Sequence, residues 1–162
     1  MLAAVEQQSK GAESYVPFYI AVSDYIDASM GRLHKQDVKM GDMIREKAES
    51  VDAGVTKALG ELDERLAGNQ AHLKTLLEAR DALKERGVAA LEAFEKVARA
   101  YSDYITTNMG HHGATTELAG NLFKPEDWEY MAGITDEEMA REGDLFELVE
   151  NRVPEDLKHI AS

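Results

Sequence analysis

The 162 residues carry 18 Lys+Arg against 31 Asp+Glu, a formal net charge of −13, with 44% apolar and 30% charged residues and no cysteine. So acidic a surface repels phosphate backbones and anionic headgroups, which argues against nucleic-acid and membrane-surface partners. The missing cysteines remove disulfides, thiolate metal sites and cysteine nucleophiles. No stretch approaches the ~20 apolar residues of a membrane span. The first ten residues lack the basic segment of a secretory signal, so a cytoplasmic location is expected.

Prolines stand at 17, 125 and 154, leaving residues 18–124 free of the strongest helix breaker. Within that window apolar residues recur at three and four, without the alternation of strands or a hairpin turn signal. The length suits one domain over residues 1–162, with 1–13 and 154–162 as peripheral tails. The expected fold is all-α: an up-down four-helix bundle with a shorter C-terminal fourth helix.

In chain order, the first helix is expected to begin near Ser14 to Pro17 and run to about residue 48, with the seam Ile26, Met30, Leu33, Asp37, Met40, Ile44. The second follows Val55, Leu59, Leu62, Leu66, Asn69, Leu73, Leu76 and stops at Gly87, with Arg86 suited to the negative end of the helix dipole. Glycines 54, 60 and 68 read as local weak points within it. The third runs from Leu91 through Phe94, Ala98, Tyr101, Ile105, Asn108, His112, Thr115 and Ala119 to Leu122, with Gly110 and Gly113 able to bend or end it. A short amphipathic piece at Pro125 to Met131 precedes a break at Gly133. Thr135 with Glu138 three residues later forms a capping box for a last helix containing Met139, Leu145, Phe146 and Val149. From Pro154 an irregular end or a single turn is expected.

Counting residues along alternately rising and falling helices puts Asp37, Asn69, Asn108 and His112 in one layer, with His34 and His72 about a turn away. Buried polar groups are costly unless paired. Two explanations are open: a hydrogen-bonded layer that fixes register, or a metal site built from inward-pointing His and carboxylate groups. The aromatic run Tyr15, Phe18, Tyr19, Tyr25 suits core packing or a subunit interface, so a homodimer through the first helix is one expectation. Trp128 is expected to anchor the short helix.

The segment from His111 and His112 through Glu117, Leu118, Ala119, Leu122 and Phe123 to Pro125, Glu126, Asp127 and Trp128 resembles the end of a hemerythrin-like, or HHE cation-binding, domain. The resemblance spans about residues 101–131. It implies a bundle that binds non-haem iron, as a di-iron or mononuclear centre or with another transition metal, for oxygen or nitric oxide binding or for redox and iron sensing. On that reading the ligands come from His34, Asp37, His72, His111, His112 and Glu117. The family's His-x-x-x-Glu pairing is altered here: Thr115 and Thr116 follow His111 and His112 by four, and His34 to Asp37 is a step of three. The alternative is a metal-free interaction or assembly protein with a structural polar layer. A small organic ligand at the layer is a third possibility. No phosphate-binding glycine loop, nucleophile elbow or His-Glu-x-x-His helix is present, so an enzyme is the lesser expectation.

Overall fold

The computed structural model describes the backbone of residues 2–48, 52–108 and 114–157, and the side chains of 12–48, 52–108 and 115–157. Among these residues there is no strand. The helices are α1 (Leu2–Lys47), α2 (Ala53–Arg86), α3 (Leu91–Asn108), α4 (Ala114–Leu122), α5 (Pro125–Ala132) and α6 (Asp136–Asn151). Short 3-10 turns occupy Gly87–Ala90 and Glu155–Leu157.

α1 begins at Leu2 rather than at Ser14 to Pro17, and Pro17 lies inside it. The residues before the proline include Leu2, Ala3, Ala4, Glu6, Gln7 and Gln8, all good helix formers. Against that propensity one missing N–H donor bends or weakens a helix without having to end it. Residues 2–13 therefore continue α1 and do not form a separate tail. At ~1.5 Å per residue the 46-residue helix spans about 69 Å.

α2 starts where the Asp52 carboxylate accepts from the Val55 N–H at 2.9 Å. It ends at Gly87, whose φ of 59° lies where a side chain is strained and whose N–H reaches the Leu83 carbonyl. The 3-10 turn then reverses the chain into α3. Of the expected long third helix, Leu91–Asn108 and Ala114–Leu122 are helical, while residues 109–113, with Gly110 and Gly113, lie outside the described residues. Pro125 opens α5, where the Asp127 carboxylate accepts from the Lys124 N–H at 2.8 Å. At α6 the expected capping box forms, with Thr135 and Glu138 each accepting from the other's backbone N–H at 3.1 Å.

α1 and α2 run antiparallel, and α3 returns along α2. Their apolar residues form two separate clusters. One joins Met40, Met43 and Ile44 of α1 to Val55, Leu59, Leu62 and Leu66 of α2, capped by Ala119 and Phe123; Trp128 packs against it as expected, edge-on to Phe123 at 5.1 Å. The other gathers Leu76, Leu83, Ala90, Phe94 and Tyr101 with Tyr19, Ile20 and Ile26 around them.

α6 runs antiparallel along the outside of α1. Among the described residues it packs on α1 and not on α2 or α3, so the side of a closed four-helix ring between α3 and α6 is not formed. The physical reason is legible in its composition: α6 buries no residue, and seven of its 16 positions are Asp or Glu. A helix so charged cannot line a sealed core. It is held by the Arg32–Glu142 ion pair at 2.9 Å and by Tyr25 against Phe146. Beyond α6, Pro154 is buried, and Tyr15 donates to Asp156 at 2.5 Å from the single turn that follows.

Candidate functional site

Between the two apolar clusters the helices meet through a polar and aromatic waist. α2 presents Arg65, Gly68, Asn69 and His72 at successive steps of three or one along its length. α3 presents Tyr101 and Tyr104 one turn apart, and α4 brings Thr115. Asn69 is 3% exposed and Tyr101 2%. The Tyr101 hydroxyl donates to Asn69 Oδ1 at 2.5 Å. Burial, with the neighbouring Tyr104 hydroxyl second, pushes the Tyr101 phenol up to about 12.

The remaining contacts extend this pair into a network. Tyr104 donates to the Arg65 carbonyl at 3.0 Å, and the Arg65 guanidinium donates to Thr115 Oγ1 at 3.2 Å. His72 stacks its ring on Tyr101, centroids 5.7 Å apart and planes 1° apart, and tilts against Tyr104 at 4.6 Å. A side chain at Gly68 would collide with the Tyr104 hydroxyl and ring, so this glycine is the seat that lets Tyr104 reach α2. Gly68 is thus a packing requirement where the sequence suggested a weak point. On its outer side the waist opens into a groove of about 500 Å³ lined by Glu61, Glu64, Gly68, Tyr104, Thr107 and Asn108.

Of the expected layer, Asn69 is buried here, and its partner on α3 is Tyr101, seven residues before Asn108. Thr115 is buried as well. Asn108 is exposed and donates its amide to the Tyr104 carbonyl of its own helix at 3.2 Å, so it is not a layer residue. His111 and His112 lie outside the described residues. Asp37 is half-buried on α1 one turn after His34, and Glu117 is exposed on α4. His34 Nε2 lies 3.1 Å from Gln70 Nε2, while its buried Nδ1 has no hydrogen-bond partner among the described residues.

The two described histidines sit on different interfaces. Gln70 and His72 are two residues apart on α2, about 200° around the helix. The first faces α1 and His34; the second faces α3 and its tyrosines. Among the described residues no three His, Asp or Glu side chains come together as a metal-holding group. His34 and His72 therefore stay on separate interfaces, and Asp37 and Glu117 do not join either of them in such a group.

By periodicity Tyr101 is one more apolar seam position, and Tyr104 and Arg65 fall outside the expected polar layer. A signal was available: Tyr101 and Tyr104 fall at a step of three on the helix facing Asn69, and a buried amide requires a partner. Compared with protein-family models, curated proteins and solved structures, the chain matches none.

Proposed function

We propose that this chain is a helical interaction protein that works through its surface, with a waist whose polar groups serve the fold. The observation that carries this reading is the Asn69–Tyr101 bond. Two buried polar side chains of the waist are turned toward each other, a third, Thr115, accepts from Arg65, and His72 is engaged by two tyrosine rings. Groups committed to one another fix register and helix order. Large apolar side chains are exposed instead on the periphery, with Met139, Phe146 and Leu148 on α6 and Tyr130 on α5.

The hemerythrin-like alternative draws support from the resemblance around His111 and His112 and from His34 Nδ1, buried and without a hydrogen-bond partner among the described residues. The two readings separate in one experiment. The protein is expressed in iron- and manganese-supplemented medium, purified without chelator or histidine tag, and its metal content measured by elemental analysis. Metal at background is the expected result. About one or two metal ions per chain, lost in His112→Ala, would overturn the interaction reading in favour of a bundle metal centre.

A further inference from the structure

Two of the three large apolar residues exposed on α6, Met139 and Phe146, share one flank, while Leu148 lies on the opposite side. Glu138, Glu142, Leu145 and Val149 line the side nearest α1. Along one flank of that line Met139, Gly143 and Phe146 follow at steps of four and three. Met139 is 51% exposed and Phe146 47%. Gly143, with open space above it, leaves a shallow notch between them. The stripe is bordered by three exposed carboxylates: Asp136 three residues before Met139, Glu147 four after Gly143, and Glu150 four after Phe146. The one cation of α6, Arg141, lies on the opposite flank.

Resting on the interaction reading, we infer that this flank of α6 docks a basic amphipathic helix of a different protein. The occupant's apolar face would cover Met139 and Phe146, with its backbone approaching at Gly143 and its Lys or Arg side chains meeting Asp136, Glu147 and Glu150. Charge complementarity selects this occupant over a second copy. A copy brings the same net charge of −13, and the cations of α1 nearest α6, Arg32 and Lys35, are already paired with Glu142 and Glu138. Bringing two such acidic flanks together sets like charges opposite one another.

The probe is a fluorescent synthetic Leu/Lys peptide patterned as an amphipathic helix, beside a peptide of the same composition with its leucines scrambled around the helix. Fluorescence anisotropy at two salt concentrations reads both. The wild-type chain should prefer the patterned peptide by about tenfold or more, and Met139→Ser should remove most of that preference. Met139 is half exposed, so the substitution leaves the fold intact, and Phe146→Ser is a second variant whose thermal melt is checked because it also loosens Tyr25. Glu147→Gln with Glu150→Gln should weaken binding and flatten its salt dependence. Glu92→Gln with Asp103→Gln on α3 removes the same formal charge and should leave binding unchanged.

Equal affinity for the two peptides, or an equal loss in the α3 control, would overturn the proposal, since acidic character alone would explain the binding. A concentration-dependent dimer in sedimentation that Met139→Ser abolishes would overturn it in favour of a second copy. Those failures leave the metal content at background. Failure of the interaction reading shows instead as bound metal.

Discussion

Tyr101 and Asn69, 32 positions apart in sequence, share a 2.5 Å hydrogen bond in the buried space between α2 and α3. Removing either partner alone strands the other away from water, at about 1–3 kcal/mol. Tyr101→Phe and Asn69→Leu should each lower stability in urea unfolding by that amount. The double variant should recover a good part of the loss, because no stranded group is left. If the two single losses simply add, the pair is not coupled.

Two glycines of α2 should respond with opposite signs. Gly60 is exposed with open space around it, so Gly60→Ala should stabilise by about 0.5–1 kcal/mol through helix propensity. Gly68 seats Tyr104, so Gly68→Ala should cost about 1–3 kcal/mol as the ring is pushed out. Combining Gly68→Ala with Tyr104→Ala should reduce that penalty. Chemical denaturation of the set checks it.

How far the sequence discloses this molecule depends on the range of the interaction concerned. The Thr135–Glu138 box, the stop at Gly87 and the anchoring of Trp128 depend on neighbours a few residues away or on one large ring, and they could be read directly. α1 starts well before Pro17, because the proline is a local signal that surrounding propensity outweighs. Residue counting along straight helices puts Asn69 level with Asn108 and His112, yet its partner on α3 is Tyr101, seven residues before Asn108, so neither the height on α3 nor the membership of the layer is legible that way. Asn108 stays on its own helix, and Tyr101 is apolar around its ring yet polar at its tip. Periodicity scores a tyrosine as one thing or the other. The position of α6 is not legible in the sequence, because an amphipathic pattern shows that a helix has an inner face without showing which helix it meets.

Alkaline pH should act late on Tyr15, Tyr19 and Tyr101, the first because its hydroxyl donates to the Asp156 carboxylate. Tyr101 and Tyr19 are each pushed up to about 12, both chiefly by burial, with the hydrogen bond to Glu95 adding to the shift at Tyr19. An unfolded tyrosine titrates near 10. The folded state therefore holds protons that the unfolded state releases, so the stabilisation is complete below pH ~10 and is lost as pH rises toward ~12. Absorbance at the tyrosinate band should show a late-titrating group that merges with unfolding, and Tyr101→Phe should remove part of it. Titration of all six tyrosines near 10 with the far-UV spectrum intact would contradict the burial argument.

Asp127 gives the opposite sign at the acid end. The hydrogen bond from the Lys124 N–H, and then Lys47 at 3.0 Å, hold its carboxyl below the ordinary 3.8. Its contribution is present above pH ~4 and is lost as pH falls through the lowered value. Asp127→Asn should lower the melting temperature at pH 7, and the gap from wild type should close under acid. A gap that stays constant from pH 7 down to acid would mean that the ionised carboxylate is not what holds α5.

Arg32 and Glu142 carry the last prediction, because α6 packs on α1 and on neither α2 nor α3 among the described residues. The Arg32 Nε reaches both Glu142 oxygens, at 2.9 and 3.1 Å, with the side chains 29% and 15% exposed. Partial exposure screens the pair, so its coupling in a double-mutant cycle should be about 1 kcal/mol at most. Global unfolding should hardly change in Glu142→Gln. Local opening should change much more, because α6 buries no residue and has little else to hold it. Hydrogen exchange should speed up through residues 138–149 in Glu142→Gln while the amides of α2 around Leu76 and Leu83 keep their protection. If both regions accelerate together, α6 is not a separate unit, and its detachment is part of the opening of the whole fold.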